Sequence, residues 1–203
     1  MIDLYEYENN LAAKGYQYIV GTDEAGRGPM AGPLVVAACL LPINHKILGL
    51  NDSKKLSPKK REALYEIIVK EAREYHIEII DVGEVDRLNV YQASKWGMEQ
   101  CINQFQLPID YVLSDAMPLD IEPEYLAIIK GDAKSASIAA ASILAKVTRD
   151  RIMIDLDTSY PQYGFKKHKG YVTRQHLLAL NEYGICPIHR RSFAPVIHAM
   201  RRK

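Results

Sequence analysis

Cysteine is scarce in this chain. Cys39, Cys101 and Cys186 are odd in number and widely separated, with no CxxC and no Cys/His pair at zinc spacing. A disulfide framework and a thiolate zinc site are therefore excluded as organising features, and the thiols read as reduced groups of a cytoplasmic protein. Long apolar runs are missing as well. The longest, Leu34 to Leu41, has eight residues between Pro33 and Pro42, far short of the ~20 that a membrane-spanning helix needs. It reads as a buried strand, and no membrane partner is expected. The start, Met1-Ile2-Asp3, has neither a basic n-region nor an apolar h-region, so no secretory signal is visible. No internal repeat, low-complexity tract or long Gly/Ser/Pro linker marks a domain boundary.

What is present is an ordinary soluble composition: 203 residues, 48% hydrophobic and 25% charged, with 26 Lys+Arg against 25 Asp+Glu. One compact domain, acting as a monomer, is the expectation. The neutral total conceals an asymmetry. Residues 166–203 carry nine Lys/Arg against Glu182 alone, a net of +8, which leaves −7 on the rest. A basic terminal fifth on an acidic body suggests a polyanion contacted mainly from one end, the bland alternative being a solvated basic tail.

Tyr16 to Gly21 and Gly32 to Leu41 read as strands joined by a glycine-rich, hairpin-like turn. Ser57 is a good N-cap with Pro58 at the first helical position, and Leu64, Ile67, Ile68 and Ala72 recur at helical spacing, which predicts a helix ending near Tyr75. His76 to Asp81 then reads as a strand, Val90 to Phe105 as a helix, Tyr111 to Ser114 as a strand and Tyr125 to Lys130 as a short strand. From Ile138 to Val147 only Ser142 and Lys146 are polar, so a helix there is buried nearly all round, and it should run on to about Tyr160. Thr173 can cap a further helix through Asn181, with Gly184 ending it. Strands mixed with helices after an opening hairpin argue for an α/β fold on a mixed sheet.

Four acids hold unusual positions. Asp23 and Glu24 end the first strand and enter Ala25-Gly26-Arg27-Gly28; Asp115 ends the run Tyr111-Val112-Leu113; Asp132 follows Gly131 just before the buried helix. Acids at strand ends and at a helix start can converge on one edge of a sheet. Singly each has a structural explanation: Asp132 as a cap, Asp115 as a turn former, Asp23 as a solvated loop acid. Jointly, carboxylates without nearby His or Cys are the ligand set selected by Mg²⁺ and Mn²⁺, and a shared carboxylate can bridge two ions for in-line attack of water on a phosphodiester. Neighbours in a strand point to opposite faces, so Asp23 and Glu24 aim the same way only if the strand has ended. Gly26 and Gly28 allow close backbone approach to a ligand and Arg27 adds a fork suited to phosphate, a tight turn being the alternative. Ser53 and Lys54, in the polar stretch before Ser57, suit the holding of a second nucleic-acid strand or form a plain lysine-rich loop. His168 reads as an exposed loop residue, help with protons or phosphate being the alternative, and Tyr171 as a stacking ring or a filler.

Together, Gly21 to Pro33, Asn51 to Ser57, Val112 to Ala116, Lys130 to Asp150, Tyr160 to Phe165, His168 to Tyr171 and His189 to Phe193 resemble the type 2 ribonucleases H, their bacterial ribonuclease HII branch above all. The match runs in order from Tyr16 to Pro195, so residues 16–203 are expected to form the catalytic domain and 1–15 to lie outside the strong match. Ser114 stands where an apolar residue is common in that family, and Val172 where Gly is. The resemblance implies a ribonuclease H-like fold, a mixed five-stranded sheet flanked by helices with a C-terminal helical extension. It implies two Mg²⁺ or Mn²⁺ ions held by Asp23, Glu24, Asp115 and Asp132, with Asp23 bridging. It also implies a junction-sensing group of Gly26, Arg27, Gly28 and Tyr171. The implied substrates are RNA/DNA hybrids and DNA duplexes with embedded ribonucleotides, cut on the 5′ side to leave 5′-phosphate and 3′-hydroxyl ends. One rival reading is the ribonuclease HIII branch of the same fold, which should lack the tyrosine sensor and is disfavoured by Tyr171; another is a binding protein without catalysis, and the presence of all four acids speaks against it.

Overall fold

The computed structural model describes residues 3–201. Five strands, β1 (Ile19–Ala25), β2 (Leu34–Leu40), β3 (Glu74–Ile80), β4 (Tyr111–Asp115) and β5 (Glu124–Ile128), form one sheet in the order β3-β2-β1-β4-β5. β2 runs antiparallel to both β1 and β3, whereas β4 and β5 run parallel to β1. This is the mixed five-stranded sheet expected from the sequence.

The helices are α1 (Glu6–Ala13), α2 (Pro58–Glu71), α3 (Val82–Leu88), α4 (Val90–Asn103), α5 (Ala136–Ser159), α6 (Phe165–His168), α7 (Arg174–Tyr183) and α8 (Ala194–Arg201). The uninterrupted apolar character of β2 follows from its being covered on both faces. Val35, Ala37 and Cys39 pack with α2 and the alanine-rich side of α5, while Leu34, Val36, Ala38 and Leu40 pack with Ala93, Met98, Cys101 and Ile102 of α4. At about 1.5–3 kcal/mol for each large apolar side chain removed from water, this strand anchors both core layers. α5 lies directly on β1 because Gly21 has no side chain: a Cβ there would sit 2.1 Å from the Ser137 carbonyl carbon. The first turn of α5 is held by Ser135, whose hydroxyl accepts from Ile138 N–H at 3.3 Å.

Several boundaries differ from the sequence reading. α2 stops at Glu71 rather than near Tyr75, because Ala72 is extended and Arg73 N–H already donates to Leu40 O beside the sheet; β3 accordingly begins at Glu74 and not His76. α3 is an addition to the expected elements, with Asp81 capping it by accepting from Glu84 N–H. β1 runs through Asp23 and Glu24 to Ala25, since its pairing with β2 continues to Ala25–Val35. Leu11 of α1 packs with Ile19, Leu113, Ile128 and Ile138, so the segment before Tyr16 contributes to the core. Met1, Ile2, Arg202 and Lys203 lie outside the described residues, the last two with their share of the basic tail.

Candidate active site

The two pairings of β1 end at different points. With β2 they persist to Ala25, but with β4 they cease at Thr22–Ser114, so β1 and β4 part and leave a fork. Asp23 and Asp115 stand on its two arms. Asp132 arrives from the single 3₁₀ turn Gly131–Ala133 that precedes α5, and one carboxylate oxygen from each of the three acids lies within 4.8 Å of the others. Asp132 does not cap α5, a task that falls to Ser135. Asp115 is fixed by Gly131 N–H, which donates to Oδ1 at 2.7 Å. The turns bearing Asp115 and Asp132 are tight enough to put Ala116 (φ 52) and Lys130 (φ 57) in the left-handed region, at roughly 1 kcal/mol or more each. Ser114 steadies the first of them by donating its hydroxyl to Met117 O at 2.6 Å, a bond that the apolar residue common in its place could not make.

Because the strand has not ended, Asp23 and Glu24 alternate faces. Asp23 shares the α5 side with Gly21, while Glu24 stands outside the trio and meets Arg27 Nη1 at 3.5 Å. Burial, then Glu24, then Asp115 push the Asp23 carboxyl well above the usual range. Burial raises Glu24 to about 7 against the pull of Arg27, and Asp115 is raised chiefly by burial. Glu24 Oε2 is buried with no hydrogen-bond partner. Oxygen donors that resist ionisation and carry an unsatisfied buried lone pair fit a hard divalent cation, whose charge reverses the local pKa logic.

Above the fork a cleft of about 200 Å³ is lined by Glu24, Ala25, Gly26, Arg27, Gly28, Ser53, Lys54, Ser142, Lys146 and Tyr171. Tyr171, 45% exposed, stands against the glycine loop: a Cβ on Gly28 would lie 3.5 Å from its Cε1. The loop's shape is enforced from below by two buried arginines. Arg149 donates to Ala31 O, Pro33 O and Lys169 O, and Arg190 to Gly32 O and Arg27 O. Gly26, at φ +107, is the position where Arg149 passes beneath; a Cβ would meet its Nε at 2.2 Å.

The other candidates are placed less simply. Ser53 is buried with its hydroxyl 2.9 Å from that of Ser142, which in turn bonds Asp23; it supports the acid cluster from within. Lys54 Nζ sits 3.4 Å from Asp132 Oδ2. Burial alone would lower its pKa, but Asp132, Asp23 and Asp52 more than offset this and hold it protonated. His168 is not an exposed loop residue: it is buried, stacked on His176. Arg190, counted in the basic tail, is fully buried and unavailable to phosphate. Sequence reasoning missed Ser142 and Lys146 as lining residues, although both stand out as the polar interruptions of the α5 run. Nothing local marks Arg149 or Arg190, whose partners lie more than 100 residues away in the chain apart from Lys169.

A mixed sheet in this order, with carboxylates gathered at the β1/β4 fork and the head of the crossing helix, defines a ribonuclease H-like nuclease. The ribonuclease H2 of Pyrococcus horikoshii OT3 has the same fold, with a TM-score of 0.79 at 27% identity over 91% of this chain and 97% of that one. The family model of ribonuclease HII matches residues 20–196, and the chain belongs to that family. It is 56% identical over 190 residues to the ribonuclease HII of Bacillus licheniformis, covering 94% of this chain and 74% of that protein. To the ribonuclease HII of Enterococcus faecalis it is 52% identical over 194 residues, covering 96% and 76%. Membership makes it a hydrolase with ribonuclease H activity.

Proposed function

We propose that the chain incises the phosphodiester on the 5′ side of a ribonucleotide embedded in duplex DNA, and that it cuts RNA in RNA/DNA hybrids, leaving 5′-phosphate and 3′-hydroxyl ends. The observation that carries this is the adjacency of the Asp23-Asp115-Asp132 group to a cleft walled by Gly26–Gly28 and Tyr171. The three acids hold divalent ions, with Glu24 as an outer contributor. When bound, a pair of Mg²⁺ or Mn²⁺ ions supplies charge stabilisation at the attacked phosphate and an acidified water. Arg27 and Lys54 neutralise phosphate charge at the cleft. The backbone of Gly26 and Gly28 reaches the 2′-hydroxyl, the group that separates RNA from DNA. Tyr171 stacks on the following sugar, where a deoxyribose fits the ring and a 2′-hydroxyl crowds it.

The deciding experiment maps the cut on a duplex with one embedded ribonucleotide, in Mg²⁺ and in EDTA. Metal-dependent scission at the 5′ side with a 3′-hydroxyl product is expected. Cutting that ignores the ribonucleotide, or that persists in EDTA, overturns the proposal.

A further inference from the structure

Tyr171 belongs to no helix or strand, yet its position is tightly determined. Its carbonyl accepts from His176 Nδ1 at 3.0 Å, and its N–H donates to His168 O at 2.9 Å. His176 Nε2 lies 3.1 Å from His189 Nε2. His189 Nδ1 in turn accepts from Cys186 N–H at 3.0 Å. His168, stacked on His176 with centroids 4.4 Å apart, accepts from Gly170 N–H at Nδ1 and faces Tyr163 O at Nε2. All three rings are buried.

The protons in this array follow from its partners. A backbone carbonyl only accepts and a backbone N–H only donates. His176 therefore carries its proton on Nδ1, which leaves Nε2 as an acceptor. His189 Nδ1 meets the Cys186 N–H, which can only donate, and lies 3.1 Å from the Cys186 thiol sulfur, a weak acceptor beside that strong donor, so its proton is on Nε2 and points at His176. His168, between Gly170 N–H and Tyr163 O, is protonated on Nε2. Each nitrogen finds a complementary partner only if all three rings are neutral and His176 holds the tautomer opposite to that of His189. A proton added at His176 Nε2 would set two N–H groups against each other at the shared contact, and one added at His189 Nδ1 would oppose Cys186 N–H. Burial holds both rings near a pKa of about 4.

The far end of the array reaches the glycine loop. His189 forms an isolated β-bridge with Ala31, Gly32 N–H donates to Ile188 O and Met30 N–H to Gly170 O. We infer that His176 and His189 are positioning residues for junction selectivity: their relay fixes the Tyr171 backbone against the segment that carries Gly26–Gly28, so that the ring meets the sugar beside the 2′-hydroxyl being read. The inference rests on the role given to Tyr171 under the proposed function and extends it to two residues that touch neither substrate nor acids.

The test compares cleavage of a single-ribonucleotide duplex with that of an all-RNA/DNA hybrid, as a ratio of rates. His176→Phe keeps a buried ring but removes the Nδ1 donor; His176→Asn restores an N–H near that point. The Phe variant should lower the ratio on the order of ten- to a hundredfold, the range a displaced positioning group costs, and Asn should recover most of it. A folded His176→Phe enzyme with the wild-type ratio overturns the inference. If Tyr171→Ala lowers the ratio while His176→Phe does not, the relay fails and the tyrosine reading stands; if Tyr171→Ala leaves the ratio unchanged, both fall. Should the Phe variant not fold, ¹⁵N NMR of the wild-type rings decides the matter. Nδ1–H at His176 and Nε2–H at His189 at neutral pH support the relay, and any other tautomer pair refutes it.

Discussion

Replacing Asp23 by Asn should make the metal-free protein more stable while removing its activity. Oxygens of Asp23, Asp115 and Asp132 lie within 4.8 Å of one another, and two unit charges at that distance repel by about 3 kcal/mol at an effective dielectric of about 20. Part of this is relieved by proton uptake, since burial and its neighbours raise the Asp23 pKa. Asn loses little in return. Its Oδ1 can still accept Glu24 N–H, as Asp23 does at 2.7 Å, and the Ser142 hydroxyl can turn to accept from its amide. A net gain of about 1–3 kcal/mol in EDTA is expected, which at roughly 2–4 °C per kcal/mol for a chain of this size raises Tm by several degrees. Added Mg²⁺ should raise the wild-type Tm by mass action and leave the variant nearly unmoved, while its cleavage rate falls on the order of a thousandfold or more. Thermal melts with EDTA and across a Mg²⁺ series, beside a cleavage assay, measure all three. A lower Tm in EDTA together with near-normal cleavage would refute the reasoning, because Asp23 would then be a structural residue.

Tyr171→Ala should slow cleavage of a single-ribonucleotide duplex by roughly ten- to a hundredfold, in line with about 1–3 kcal/mol for a stacked ring; Tyr171→Phe should cost far less, and equal losses in the two would point to the hydroxyl instead. Replacing Lys166, Lys167 and Lys169 by Ala should weaken binding to all duplexes alike and flatten the log affinity–log salt slope by roughly 0.9 for each phosphate no longer neutralised; an unchanged slope returns these lysines to solvent. His176 and His189 should withdraw stability on acidification because they are held neutral, with pKa values lowered from 6.5 to about 4 by burial. The unfolded chain takes up protons below about 6.5 while the fold does not, so this contribution is complete above that pH and gone near pH 4. It amounts to up to about 3 kcal/mol per ring; because the raised carboxyls of Asp23 and Glu24 act in the opposite sense over the same range, the measurement is the difference in urea midpoint between wild type and His176→Phe at pH 7, 5.5 and 4.5, and a difference that does not change with pH would contradict it.

The sheet, the buried helix and the four acids are legible in the sequence for physical reasons. β2 is covered on both faces and so reads as one apolar run; α5 presents alanines to β1 and so reads as apolar all round. Acids at the ends of such segments each admit a local role as cap, turn former or loop residue, and only their joint occurrence points to a shared site. The reach of β1 is hidden because extension from Gly21 to Ala25 depends on pairing with β2, about ten to twenty residues along the chain, and that pairing tolerates two acids only because the fork on the other side is open. The histidines are hidden for a similar reason. His168 sits among three lysines, and nothing in that context foretells a stack on His176 of α7 or a seat between the Phe165 ring and the Tyr163 carbonyl.

This division also separates rate from selectivity. The acids are borne by β1, β4 and the turn before α5, elements fixed by the sheet core, whereas Tyr171 is borne by the C-terminal extension. What joins the two is backbone: Met30 and Ala31 of the glycine loop are buried among residues of the extension, and Arg149 and Arg190 tie the loop carbonyls from beneath. Such ties cannot adjust in small steps, because a buried guanidinium left short of acceptors costs several kcal/mol. Perturbations above the ties, at Tyr171 or His176, should therefore change which duplex is cut and leave the acid cluster intact. Perturbations at Arg149, which holds carbonyls on both the loop and Lys169, should reduce cleavage of every substrate together. Arg149→Met leaves the buried carbonyls of Ala31 and Pro33, and the half-buried one of Lys169, without their donor, and stability should fall by about 3–5 kcal/mol. An Arg149→Met variant that lost selectivity alone, with stability and hybrid cleavage preserved, would show that the loop keeps its shape without the arginine and that the two functions are joined elsewhere.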